Sequence, residues 1–275
     1  MKRAVSILLP LLIIVISTIS FAEEVPWVTM DNVREHSGYV WREETPRYNG
    51  AEEQGFQPLV MDPAEAYRRL RDAYDQGQDE ATRELLQSWG IEMEPCGAPV
   101  FRELISQADL QYHGHSDVST ENVPLVQLIS FSGWGWGEEG TLIFVEQWPD
   151  WYLWDYIPFA CEDFHLCGTD DGTGVYLELS VIGHGTGCYV RYIDVYHLQT
   201  RQIEASYTTY GYEVFQNAGI QVYGSACYAR DGVHIFRQLS PLAFDEAQNE
   251  FVPTGAVLDV FDYDIDEQGR LERKE

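Results

Sequence analysis

Val175-Tyr176-Leu177-Glu178-Leu179-Ser180-Val181 alternates aliphatic residues with amphipathic or polar ones. A period of two places Val175, Leu177, Leu179 and Val181 on one face of a strand, and Tyr176, Glu178 and Ser180 on the other. The same period recurs outward from this stretch. It marks strands over 125–131, 141–147 and 151–157 on one side, and over 189–197, 203–208, 220–223, 233–237 and 257–263 on the other. Glycine-rich turns separate many of them, as in Gly183-His184-Gly185-Thr186-Gly187. Residues 118–275 therefore read as one antiparallel β domain: an open meander sheet, a sandwich or a barrel.

Gly133, Gly183 and Gly224 each end an expected strand, at spacings of 50 and 41 residues. That spacing suits a meander of three or four strands per unit, but three units are too few to close an ordinary propeller. The stretch from Asp171 to Leu198, with its glycine-rich hairpin and Val195-Tyr196-His197-Leu198 ending, resembles the blade-like repeats of secreted bacterial β proteins. The resemblance covers about a tenth of the chain. It implies a β architecture and assigns no functional residue.

Ahead of the β domain the period changes. Asp62-Pro63 is a cap residue followed by proline at the first helical position. Tyr67, Leu70 and Tyr74 then share a helical face, and Gly77 reads as a stop. Asp79 reads as the cap of a second helix, with Leu85, Leu86 and Trp89 inward and Gly90 at its end. Phe101, Leu104, Ile105 and Ala108 mark a third. Residues 62–117 are thus a short helical segment, and residues 23–61, with little periodicity, an extended arm. The expected class is α+β, mainly antiparallel β with two or three short N-terminal helices.

Lys2 and Arg3 precede an almost wholly apolar run from Ala4 to Ser20, and Ser20-Phe21-Ala22 places small residues where a signal peptidase reads them. Residues 1–22 are read as a signal peptide and the protein as secreted or periplasmic. The competing reading is a retained anchor, because the run is about as long as a bilayer is thick, roughly 20 residues. No cysteine lies near the exit, which sets aside a lipid-modified N-terminus.

The chain carries 45 acidic against 17 basic residues, a net charge of −28. Such a chain repels phosphate, so nucleic acid and anionic membrane surfaces are excluded as expected partners. The expected partner is an envelope component, a glycan or a protein. After Lys2 the next lysine is Lys274, which excludes a Schiff-base or phosphate-loop lysine.

Five cysteines in an exported chain point to disulfides with one thiol left over. The short loop from Cys161 to Cys167 suggests one pair. Cys188 and Cys227, each after a glycine-containing turn, suggest another. Cys96 remains.

Three patterns carry candidate chemistry. His113-Gly114-His115-Ser116-Asp117 sets two imidazoles to one side of an extended chain with a carboxylate nearby, the donors of a zinc site. Asp262-Tyr263-Asp264-Ile265-Asp266 has the carboxylate spacing of a calcium loop but Glu267 where glycine is required, so it reads as a strand and turn. No cofactor is therefore expected, with calcium or zinc as the ions such donors would take. Trp134, Trp136, Tyr152, Trp154 and Tyr156 form an aromatic stretch. Alternation puts Tyr152, Trp154 and Tyr156 on one face, where rings beside carboxylates could stack on a sugar; the competing reading is core. There is no Gly-x-Ser-x-Gly elbow, no His-Glu-x-x-His and no phosphate loop. The leading expectation is a non-catalytic binding protein. The alternatives are a metal-dependent hydrolase built on His113, His115 and Asp117, or a structural acidic module.

Export predicts an intact mass that begins at Glu23 for protein recovered from the envelope or medium. A mass that retains residues 1–22 would mean that the apolar run stays as an anchor.

Overall fold

A computed structural model gives the structure of residues 55–92, 100–105, 124–132, 140–168, 174–185, 187–215, 218–229, 232–267 and 269–274. The signal, His113, His115, Asp117, Trp134, Trp136 and Cys96 lie outside these described residues. No helix among the described residues is long and apolar enough to cross a membrane.

The fold is α+β and mostly antiparallel β. The first sheet holds β1 (Leu59–Val60), β2 (Val100–Ile105), β3 (Val126–Ser132), β4 (Gly140–Gln147) and β5 (Asp150–Ile157), in the order β1-β5-β4-β3-β2. The second holds β6 (Asp163–Gly168), β7 (Val175–Gly185), β8 (Cys188–His197), β9 (Gln202–Phe215), β10 (Ala218–Ala229), β11 (Gly232–Asp245), β12 (Glu250–Pro253), β13 (Val257–Ile265) and β14 (Leu271–Arg273). Its order is β14-β13-β11-β10-β9-β8-β7-β6, with β12 paired to β11.

One helix, α1 (Pro63–Ser88), replaces the two expected over this stretch. Asp62 caps it, accepting from the Glu65 amide at 3.0 Å, and Pro63 opens it. Gly77 does not stop it. A mid-helix glycine costs only about 1 kcal/mol against alanine, and here Ala66, Leu70 and Leu86, all buried, hold both ends of α1 to the same core. Gly90, at φ +78°, does end it. The Gly90 amide donates to the Gln87 carbonyl and the Ile91 amide to that of Leu86, a left-handed cap that satisfies the last carbonyls. The third expected helix is wrong. Phe101, Leu104 and Ile105 lie in β2, antiparallel to β3 with Phe101 opposite Phe131 and Leu104 opposite Leu128, and Ala108 lies outside the described residues. The β structure thus begins well before residue 118.

Leu142, Ile143, Phe144 and Val145 are all buried in succession, as are Leu128 and Ile129. Alternate residues of a strand point to opposite faces, so the first sheet is covered on both. α1 contributes Ala66, Leu70 and Leu86 to this core, and the second sheet contributes Val175, Leu177, Leu179 and Val181, the face expected of that strand.

The two sheets are joined through Asp155. It is fully buried, accepts from the Tyr196 hydroxyl at 2.7 Å and lies 3.3 Å from the Arg201 guanidinium. Arg201 follows β8 in a tight turn with φ +59°, and it also donates to the Phe56 carbonyl and lies over the Phe56 ring.

The second sheet folds over itself. β9 pairs with β10 only from Tyr210 to Phe215; past Tyr223, β10 stays with β11 and leaves β9 to β8. Gly224 was expected to end a strand. It lies inside β10, at the point where a side chain would overlap the Thr208 carbonyl. A second core fills the fold, with Tyr176, Val195, Ala205, Tyr207, Tyr228, Val233 and Ile235. Within it the Glu178 carboxylate accepts from Tyr207 at 2.7 Å and from Tyr228 at 3.0 Å. Burial, then the Glu178 charge, raises both phenols well above the usual range. Glu204, the extra residue of a β-bulge opposite Val195 and Tyr196, accepts from the Leu271 amide at 2.7 Å and meets His197 Nδ1 at 2.9 Å. It ties the last strand back onto β9.

Burial raises the Asp155 carboxyl by more than Tyr196 and Arg201 lower it. A raised carboxyl holds its proton more tightly folded than unfolded, so its contribution to stability is greatest in acid and falls as pH rises through the raised value. Asp155→Ala or Arg201→Ala alone should cost about 3–5 kcal/mol in urea unfolding, because each strands a buried charge. Asp155→Leu, Tyr196→Phe and Arg201→Met together should come out near neutral or more stable. The margin of the unaltered protein over that triple variant should shrink as pH is raised from acid.

Candidate functional site

The outer face of β8, β9, β10, β11 and β13 carries the aromatic row that sequence reasoning sought elsewhere. β9 contains an extra residue, Thr209, between the Arg191–Tyr210 and Tyr192–Thr208 pairs. The bulge sets Tyr210 and Tyr212 on the face of Arg191 and Tyr189. Tyr210 lies opposite Tyr223 of β10, Tyr223 opposite Gln238 of β11, and Gln238 opposite Leu258 of β13. Side chains directly opposite in an antiparallel pair share a face about 5 Å apart. One continuous row therefore runs Arg191, Tyr210, Tyr223, Gln238, Leu258. The Tyr189 and Tyr210 ring centroids are 5.9 Å apart, and those of Tyr210 and Tyr223 are 5.4 Å apart, with interplanar angles of 51° and 56°.

A second row, Ser225, Phe236 and Val260, lies two residues along. A third holds Cys227, His234 and Asp262. Tyr223 is 47 % exposed, Phe236 40 %, Leu258 67 % and Val260 49 %. An apolar surface of this kind, contiguous rather than scattered, is a candidate interaction site. It is also poor in charge. In the first two rows Arg191 is the ionic group, and the rest supply phenol hydroxyls, an amide, a hydroxyl and apolar surface.

Of the expected ligand-binding residues, Tyr152, Trp154 and Tyr156 lie in β5 but do not share a face. Ile143 pairs with Asp155 and Phe144 with Leu153, so Trp154 is the extra residue of a bulge. The shift leaves Tyr152 on the side of Asp155 and turns Tyr156 to the side of Leu153. Tyr156 is buried edge-on to Phe56, and the half-buried Trp154 indole donates to the Leu198 carbonyl at 2.8 Å. Tyr156 belongs to the first core and Trp154 packs against it. In the same stretch Trp148 is exposed at the tip of the β4–β5 hairpin.

The expected disulfides are absent: Cys161, Cys167, Cys188 and Cys227 are free thiols. The stretch read as a short loop is mostly strand β6, and Cys161 packs in the first core while Cys167 packs in the second. Cys188 lies opposite Glu213, and Glu213 opposite Ile220. Cys227 is seven residues further along β10, roughly 23 Å at the rise of a strand, against the ~7 Å that a disulfide spans. Burial pushes the Cys161 thiol up to about 12 and, with Glu178 beside it, the Cys167 thiol well above its usual value. Among the described residues no group of three or more His, Cys, Asp or Glu could hold a metal ion.

Peptide mapping without reduction should recover Cys161, Cys167 and Cys188 as free thiols. Iodoacetamide should leave all three unlabelled in the folded protein and label them after denaturation.

Set against known proteins, neither the sequence nor the fold finds a counterpart: no family model, no curated protein and no solved structure matches this chain.

Proposed function

We propose that this is an exported, non-catalytic binding protein whose tyrosine face holds a neutral, extended glycan of the cell envelope. The observation that carries the reading is the run of Tyr189, Tyr210 and Tyr223, exposed at Tyr189 and Tyr223 and half-buried at Tyr210 between them, with adjacent centroids 5.9 and 5.4 Å apart. Sugar rings have apolar faces and a rim of hydroxyls. Phenol rings offer both complements at low entropic cost, since tyrosine has few rotatable bonds and a polar tip.

Two further features narrow the ligand. The chain has a net charge of −28, yet this face is nearly uncharged, which favours a neutral ligand over a cationic or phosphorylated one. The rings are tilted by 51° and 56° to one another. They form steps rather than a flat platform, which suits a twisted, soluble glycan chain rather than a crystalline surface. Gln221, opposite Tyr212, and Gln238, opposite Tyr223, add amides for sugar hydroxyls.

Native gels cast with soluble neutral polysaccharides test this, with hydroxyethyl cellulose and xyloglucan as probes. The protein should be retarded. Tyr210→Ala and Tyr223→Ala should each weaken retardation about tenfold, equivalent to ~1.4 kcal/mol, with unchanged thermal unfolding. Unretarded migration in every such gel, or variants that bind as the parent does, would overturn the proposal.

A further inference from the structure

Cys227 differs from the other described thiols. Cys161, Cys167 and Cys188 are buried, and Cys227 is exposed. It is not isolated on its strand. His234 lies directly opposite on β11, and Asp262 directly opposite His234 on β13. The Asp262 carboxylate meets His234 Nδ1 at 2.7 Å. A carboxylate accepts, so Nδ1 carries the proton and Nε2 is the basic nitrogen of the ring. A thiol, an imidazole and a carboxylate thus occupy consecutive positions of one cross-strand row, in which the imidazole–carboxylate contact is formed and Cys227 lies across the strand pair from the imidazole. This is the order of a nucleophile, its base and the group that orients the base.

The neighbours give the row access. His234 is 25 % and Asp262 42 % exposed at their side chains. The adjacent row is Ser225, Phe236 and Val260, small or apolar groups that place no second charge beside the thiol. Lys274 pairs with Asp264, two residues beyond Asp262 and at the following same-face position of β13.

We infer that Cys227, His234 and Asp262 form a surface site for thiol–disulfide exchange with small, uncharged disulfides. His234 Nε2 takes the Cys227 thiol proton as the sulfur attacks one sulfur of the incoming disulfide. A bond forms between Cys227 Sγ and that sulfur, and the disulfide bond of the reagent breaks. The departing thiolate takes the proton from His234, so the products are a mixed disulfide at Cys227 and one free thiol. Cys227 is oxidised and half of the reagent reduced. Asp262 is a positioning residue: it holds the imidazole and does not itself touch the reacting sulfurs. The site is independent of the glycan reading.

The full-length protein with Cys96→Ser, treated with dithiodipyridine, tests this. This neutral disulfide avoids repulsion by the acidic chain and releases a coloured thiol. The folded protein should release one equivalent rapidly, with the adduct on Cys227, and Cys227→Ser should abolish that phase. His234→Ala should slow it at least tenfold, and free imidazole in the buffer should restore much of the rate. Asp262→Asn should slow it a few-fold, with Asp262→Glu recovering part. If His234→Ala does not fold, His234→Gln, closer in size, carries the same comparison and the same rescue. A His234 variant that reacts as fast as its parent would reduce Cys227 to an ordinary exposed thiol. A slow rate that imidazole leaves unchanged would make His234 structural. Either result overturns the proposal.

Discussion

Asp155 sets the relation of everything else. A carboxylate with no exposed surface costs several kcal/mol to desolvate, and here the Tyr196 hydroxyl and the Arg201 guanidinium meet it at 2.7 and 3.3 Å, beside the amide of its neighbour Tyr156 at 2.9 Å. Both partners come from the β8–β9 hairpin of the second sheet, while Asp155 belongs to β5 of the first. The net energy of the cluster is small, since burial still outweighs both partners in raising the carboxyl. Its effect is selective. Two apolar sheet faces can slide over each other with little loss, but Asp155 is satisfied at one relative position only. The left-handed backbone of Arg201 fits this account: a non-glycine residue takes φ +59° at a cost of about 1–2 kcal/mol, and here that conformation sends the guanidinium back to Asp155 and Phe56.

Once the first sheet is fixed on one face of β7–β9, the opposite face of those strands must be covered too. The chain meets that need by folding its own sheet. Gly224 allows β10 to cross close over Thr208, and Glu204 secures the returning end at Leu271. The consequence for the surface is direct. The inner side of the overlying β10, β11 and β13 goes to Tyr228, Val233 and Ile235. Among the described residues no further layer covers their outer side, and Tyr223, Phe236, Leu258 and Val260 are in contact with solvent. The exposed face and the second core are two sides of one folding event.

Much of this was legible in the sequence. Each strand that the period of two marked between 125 and 263 is present, with β6 and β12 found besides, and Val175, Leu177, Leu179 and Val181 form the core face expected. Three things were not legible. The helical reading failed over 101–105 because Phe101, Leu104 and Ile105 fit both periods over so short a run, and the pairing of β2 with β3 decides between them. The aromatic ladder in β5 failed because one bulge at Trp154 reverses which side Tyr156 takes. Strand lengths were underestimated for β9, β10 and β11, which run on past Thr208-Thr209, Gly224-Ser225 and Ser240-Pro241, pairs that read as turns. The signal that could have found the tyrosine face was present in Tyr207-Thr208-Thr209-Tyr210-Gly211-Tyr212. Its alternation is broken by one residue, and only the bulge at Thr209 says that the break is a register shift within a strand and not its end.

The cysteines make the same point about distance. In a strand, adjacency in sequence separates side chains that look close on paper: two residues apart means nearly 7 Å along the sheet. Cys188 and Cys227 sit in similar local sequences, Gly187-Cys188-Tyr189 and Ala226-Cys227-Tyr228, and similarity of setting suggested neighbouring positions. The register puts them at opposite ends of the sheet, and one faces a core while the other faces water. What brings residues together here is opposition across strands. It joins Tyr210 to Tyr223, and Cys227 to His234 and Asp262, although 28 residues separate His234 from Asp262 in the chain. A thiol that the compartment was expected to consume in a disulfide is instead placed beside a base, and that placement follows from the pairing of β10, β11 and β13 alone.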